Sequence, residues 1–188
     1  MKNKKIIRIA LVTAFILLLP LLAMQFTAEV NWSWSDFVVA GTLLFGSGLT
    51  YERIARKAGN TAYRLAVGMA MAAALLLVWI NLAVGIIGSE DNPVNLLYFC
   101  VLGVGIIGAA IARLRPPRMA HAMFATAIAQ ALVTVIALLI GGSAARALRE
   151  PPGLLGVLAL NGFFVVLFVV SALLFRCSAR DRSEKGSD

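Results

Sequence analysis

Histidine occurs once in this chain, at His121, and acidic residues only nine times in 188 positions. Two cysteines, Cys100 and Cys177, stand far apart with no CxxC and no Cys/His ligand spacing. That scarcity argues against a disulfide framework, a zinc site and a haem held by two histidines of one chain. No HExxH, GxSxG or Ser/His/Asp set is present, and one imidazole leaves little for general base work. The expectation is a protein that is not an enzyme, with no metal and no cofactor. Charge as a whole is thin, 14% of residues against about a quarter in a soluble domain. Deep within the apolar runs, away from their ends, there is no Asp, Glu, Lys, Arg or His at all. Proton pumps and ion-coupled carriers usually bury one, so their absence counts against both.

What fills the chain instead is apolar sequence: 61% hydrophobic residues and a mean hydropathy of +0.90. Six apolar segments follow one another, at about 6–24, 36–51, 65–87, 96–112, 120–140 and 154–175. Six spans of about 20 residues use roughly two thirds of the length. The pattern predicts an all-α, polytopic membrane protein whose six helices form one transmembrane domain over 1–176. A disordered tail is expected over 177–188, where the sequence turns polar and charged.

Fifteen of the seventeen Lys and Arg residues fall on one side of this zigzag. Lys2, Lys4, Lys5 and Arg8 precede the first segment, and Arg53, Arg56, Lys57 and Arg64 follow the second. Arg113, Arg115 and Arg118 follow the fourth; Arg176, Arg180, Arg182 and Lys185 follow the sixth. Only Arg146 and Arg149 lie opposite. The positive-inside bias then puts both termini in the cytoplasm and closes three hairpins (1–2, 3–4, 5–6) on the outside. The net charge of +8 is juxtamembrane and grouped in threes and fours, which suits orientation and anionic headgroups rather than nucleic acid. The expected partners are therefore the lipid bilayer and, through helix packing, a second copy or other membrane subunits. The basic start and apolar core of residues 1–24 imitate a signal peptide. Pro20 and the poor cleavage site Leu22-Ala23-Met24 favour a retained first helix.

Several finer marks bear on the helices. Pro20 lies near the outer end of the first helix, where a kink or early termination is tolerable. Ser35 or Asp36 can cap the second, which at 15 residues from Asp36 to Glu52 is short for a bilayer. Trp32 and Trp34 read as an interfacial belt. Gly103-Val104-Gly105-Ile106-Ile107-Gly108 matches GxGxxG, yet it lies inside a span without the strand and sheet that a dinucleotide site needs. Its better reading is a small-residue stripe, Gly105, Gly108, Ala109 and Ala112, that admits a neighbouring helix. Gly41, Gly46 and Gly48 offer the same on the second helix.

Two polar constellations carry what functional signal there is. Thr126, Gln130 and Thr134 recur every four residues on the fifth helix, with Asn81 and Asn161 as the other amides within spans. They serve either interhelical hydrogen bonds or a lined solute path. Asp36, Glu90 and Asp91 lie at the outer face, near Glu29 and Glu150. Such carboxylates either gather a cation or a basic partner, or are solvated loop charge with Asp36 as a cap.

The runs Trp34-Ser35-Asp36-Phe37 and Leu43-Leu44-Phe45-Gly46-Ser47-Gly48-Leu49-Thr50-Tyr51-Glu52 are distinctive. With residues 81–95, which include Gly88-Ser89-Glu90-Asp91-Asn92-Pro93, they resemble small multi-span inner-membrane proteins of bacteria with no assigned activity. The resemblance covers somewhat over half the chain, and it implies a bacterial inner membrane and a multi-span fold but no reaction. Two functions follow as expectations. The first is a non-enzymatic oligomeric or accessory membrane subunit. The second is a transporter or channel for a small solute or cation, entering at the outer carboxylates.

Overall fold

The computed structural model describes residues 2–26, 31–56, 60–87, 92–140 and 153–184. Among these there are six α-helices, one 3-10 turn and no strand. The helices are α1 (Lys2–Phe26), α2 (Trp34–Arg56), α3 (Thr61–Ala83), α4 (Leu97–Ala112), α5 (Pro116–Ile140) and α6 (Gly153–Glu184). Five segments are long and apolar enough to cross a membrane: Asn3–Phe26, Thr61–Ala83, Pro93–Ala112, Pro116–Leu139 and Gly153–Asp181. α2, diluted by Gly, Ser, Thr and Glu, is not among them.

Two compact units are distinguished, Met1–Lys57 and Ala58–Asp188. In the first, α1 and α2 pack against each other and are antiparallel. A Cβ at Gly48 would meet Ile9, and one at Gly41 would meet Leu17 at 3.4 Å, whereas Gly46 has nothing within 4 Å. α1 continues through Pro20 to Phe26. α2 is longer than its apolar core. At 23 residues it reaches about 34 Å, which removes the shortfall anticipated from 36–51.

The extra turns of α2 have local causes. Ser33, not Ser35 or Asp36, is the residue at the cap: its carbonyl accepts from Asp36 N at 3.1 Å. Asp36 reaches back, and its Oδ2 accepts from Ser33 N and Ser33 Oγ, each at 2.7 Å. At the other end Glu52 is paired with Lys5 on α1 and with Arg56 one turn on, at 3.2 Å. The Lys5 hydrogen bond, helped by the charges of Lys5 and Arg56, holds the Glu52 carboxyl below its ordinary value against a smaller opposing effect of burial. A lowered folded pKa means that the pair stabilises the α1–α2 contact above the unfolded value, about 4.3, and that this is lost as pH falls through the lower folded value. Amide exchange at the basic end of α1 and α2 is therefore expected to quicken below pH about 4.3. Glu52→Gln removes that dependence, and an unchanged acid response in this variant would refute the assignment.

In the second unit the spatial order is α3, α6, α5, α4. α3 and α4 make little contact with each other. Neighbours are antiparallel throughout. Ser178 of α6 bonds Asn60 at the head of α3, and Ser171 Oγ donates to Ala66 O at 2.9 Å. Gly105 and Gly108 of α4 face Thr126 and Ala122 of α5. One end of this unit therefore collects the start of α3, the end of α4, the start of α5 and the end of α6. Arg64, Arg113, Arg115, Arg118, Arg176 and Arg180 all lie toward that basic end.

Asn60 secures it. Its Oδ1 caps α3 by accepting from Tyr63 N at 3.0 Å and also accepts from Ser178 Oγ at 2.8 Å. Its Nδ2 donates to Asp181 Oδ2 at 2.9 Å. The Tyr63 hydroxyl donates to Leu114 O at 2.7 Å, and its ring meets Phe175 edge to face at 5.2 Å. Asn60→Ala is expected to cost about 1–2 kcal/mol, the upper range for a lost cap. Asn60→Asp does not rescue it, since a second carboxylate then faces Asp181. The thermal midpoint in detergent measures both, and an unaltered midpoint in Asn60→Ala would contradict the role.

Helix boundaries in this unit depart from the hydropathy. α3 starts four residues before the apolar run because Asn60 caps it, and stops at Ala83 rather than at residue 87. There Gly85 takes a left-handed conformation, φ 72°, and Ile86 and Ile87 fold back, 1% and 2% exposed. α5 begins at Pro116, inside what read as a turn. Proline fits the first helical turn, where its missing N–H has no partner to lose. The turn itself is the left-handed pair Arg113 and Leu114, φ 49° and 57°. α6 has 32 residues, about 48 Å, so the tail expected to be disordered from 177 is helical through Glu184.

Candidate functional site

The polar residues of the spans converge in the half of the second unit away from its basic end. Thr126, Gln130 and Thr134 on α5 and Asn161 on α6 are all buried, Gln130 completely. The four-residue spacing puts the α5 trio on one helical face, and antiparallel packing brings Asn161 opposite. Asn161 Oδ1 accepts from Gln130 Nε2 at 2.8 Å and lies 2.8 Å from Thr134 Oγ1. Asn161 Nδ2 donates to Val157 O at 2.8 Å. Thr134 Oγ1 is also 2.8 Å from Gln130 O, so its single proton has two acceptors. Thr126 turns away from this group and donates to Ala122 O at 2.9 Å.

Tyr98, in the first turn of α4, completes the group. It is 1% exposed, and its hydroxyl faces Asn161 and Thr134 without a hydrogen bond of good geometry. Gln130 Oε1 likewise has no partner. Nothing in the sequence pointed to Tyr98, because an aromatic at the head of an apolar run has the position of an interface residue. Ser171 was equally silent. No ionisable Asp, Glu, Lys, Arg or His is buried among the described residues. The group can therefore donate and accept hydrogen bonds but has nothing to activate a nucleophile.

Asn81 does not join it. Its Nδ2 donates to Asn95 O at 3.1 Å, and its Oδ1 is buried and unpartnered. Asn95 is the centre of a separate clamp: its Oδ1 accepts from Ile86 N at 3.1 Å and Ile87 N at 2.9 Å. Asn92 caps the 3-10 turn Pro93–Leu96 by accepting from Val94 N, and donates to Ile87 O at 3.1 Å. These amides replace the backbone pairing that the chain forgoes between α3 and α4. Asp36 is in the first unit, exposed and engaged with Ser33. Glu90 and Asp91, like Glu29 and Glu150, lie outside the described residues. Among the described residues no three of His, Cys, Asp and Glu gather at a point.

The stripe Gly105, Gly108, Ala109, Ala112 is occupied within the chain. A Cβ on Gly105 would lie 3.3 Å from Thr126 Oγ1, one on Gly108 2.9 Å from the Ala122 Cβ, and Ala112 is 2% exposed. Ala109 is half-buried. The class of protein that emerges is all-helical, with five helices able by length and composition to span a membrane. No protein-family profile, curated protein or solved structure matches the chain.

Proposed function

We propose that this chain is a six-span protein of the bacterial inner membrane, with both termini cytoplasmic, acting as a non-enzymatic oligomeric or accessory subunit. α2 is the sixth span; its weak hydropathy is offset by its packing against α1. Within each unit the basic residues gather at one end, as the positive-inside bias asks of a cytoplasmic end. The observation that carries the subunit reading is the Gln130–Thr134–Asn161 group. Its amides and hydroxyl are turned to one another and to the backbone, and fasten α5 to α6 rather than line an open path. In a bilayer such bonds hold helices together without needing charge.

The test is affinity purification of the full chain from native membranes in mild detergent, followed by native mass measurement. Stoichiometric recovery of other membrane subunits, or of a defined homo-oligomer, is expected. Recovery of the monomer alone would overturn the reading.

A second reading, passage of a small polar solute, is favoured by one observation: the Tyr98 hydroxyl and Gln130 Oε1 are buried without partners. Flux into liposomes that falls with Gln130→Leu would support it.

A further inference from the structure

At the basic end of the second unit, α5 and α6 diverge around a cavity of about 410 Å³ lined by Pro117, Ala120, His121, Phe124, Arg176, Ala179 and Arg180. We propose that this cavity is a binding site for the headgroup of an anionic phospholipid, its phosphate held between Arg176 and Arg180.

Several features converge on that ligand. Arg176 and Arg180 are one turn apart on α6 and so project to the same side. Neither guanidinium has a hydrogen bond or ion pair among the described residues. Among the described residues no carboxylate lines the cavity. Asp181, the acid next to Arg180, turns the other way and accepts from Asn60 at the head of α3. Two unpaired guanidiniums over a concave surface match the geometry of a phosphate, which each can grip with paired N–H groups. His121 adds a ring nitrogen donor from α5. The backbone contributes little, since Pro116 and Pro117 have no N–H to offer.

The walls distinguish a lipid from a free anion. Phe124, Ala120, Ala179 and Pro117 make most of the lining apolar. One turn beyond Phe124 lies Ile128, 61% exposed, and three residues before Arg176 lies Leu173, 46% exposed. An anion seated at the arginines thus has an apolar surface leading along both helices from the point where acyl chains would begin. Basic pockets between spans at the inner face are where acidic lipids are selected. The site rests on the membrane topology proposed above and goes beyond the subunit reading.

The experiment is native mass spectrometry of the full chain in detergent, titrated with phosphatidylglycerol, with phosphatidylcholine or with inorganic phosphate. Retention of phosphatidylglycerol well above phosphatidylcholine is expected. Arg176→Gln/Arg180→Gln should lower that retention on the order of ten-fold. Arg113→Gln/Arg115→Gln, which removes the same charge from the neighbouring turn, should leave it unchanged. Ala179→Leu, which fills the cavity without touching a charge, should lower it as well. Both arginines are exposed, so their replacement leaves the fold intact, and the thermal midpoint verifies this. Equal retention of the two lipids, or full retention in the Arg176/Arg180 variant, would overturn the proposal. So would full retention in Ala179→Leu, which would reduce the effect to surface charge. Inorganic phosphate binding as tightly as the lipid would overturn the lipid assignment in favour of a soluble phosphate ligand.

Discussion

Gly108→Leu is expected to push α4 off α5 and to destabilise the second unit by about 3 kcal/mol, the upper range for forcing bulk into a close contact. A Cβ at this position already meets the Ala122 Cβ at 2.9 Å and its Cα at 3.4 Å. Neither atom can rotate away, because Ala122 has no side chain beyond Cβ and sits on a helix, 7% exposed. The only relief is separation of the helices, and dispersion contacts along the interface weaken steeply with distance. In a bilayer, where lipid competes equally for apolar surface, close approach is the main source of helix association. Gly105→Ala should cost less, since its nearest atom is Thr126 Oγ1 at 3.3 Å. Gly46→Ala, with nothing within 4 Å, should instead stabilise α2 by about 0.5–1 kcal/mol through helix propensity. Unfolding by a strong detergent added to a mild one ranks the three. Gly108→Leu unfolding at the parent midpoint would refute the close α4–α5 contact.

That ranking shows what the sequence made legible. The small residues recur at i, i+3, i+4 and i+7, the period of one helix face, and Gly105 and Gly108 on it lie against Thr126 and Ala122. The period did not say which helix approaches, since any apolar segment fits such a face. Hydropathy located the apolar runs well but misplaced several helix ends, for a physical reason. Helix ends are set by caps and side-chain bonds, as at Ser33, Asn60 and Asn95, and these are polar residues that hydropathy reads as link. The order α3, α6, α5, α4 was likewise out of reach. Of the candidate site, the α5 trio and Asn161 were visible as amides and hydroxyls in apolar surroundings. Tyr98 was not, because its body is as apolar as its neighbours and only its hydroxyl differs.

Asn161→Leu is expected to cost about 2 kcal/mol, and its partner substitution to return most of that cost. Removing the Asn161 carboxamide leaves Gln130 Nε2 without an acceptor at a fully buried position, beside the Oε1 that already has no donor. An orphaned buried amide costs roughly 1–3 kcal/mol, more than the average 0.6 kcal/mol worth of a hydrogen bond between spans. Thr134 suffers less, because its hydroxyl retains Gln130 O at 2.8 Å. Once Gln130→Leu is added, both unsatisfied ends are gone and leucines fill similar volume. The double variant should therefore be nearly as stable as the parent, and each single variant clearly worse. Additive losses in this cycle would mean that the two amides do not act on each other. The same variants separate fastening from transport. If the group only fastens α5 to α6, Tyr98→Phe removes a hydroxyl that bonds nothing and leaves stability and liposome flux unaltered. A solute that passes here would need the Tyr98 hydroxyl and Gln130 Oε1 as its own partners. Flux would then fall in Tyr98→Phe while the protein stayed as stable as before, a combination that helix fastening alone does not produce.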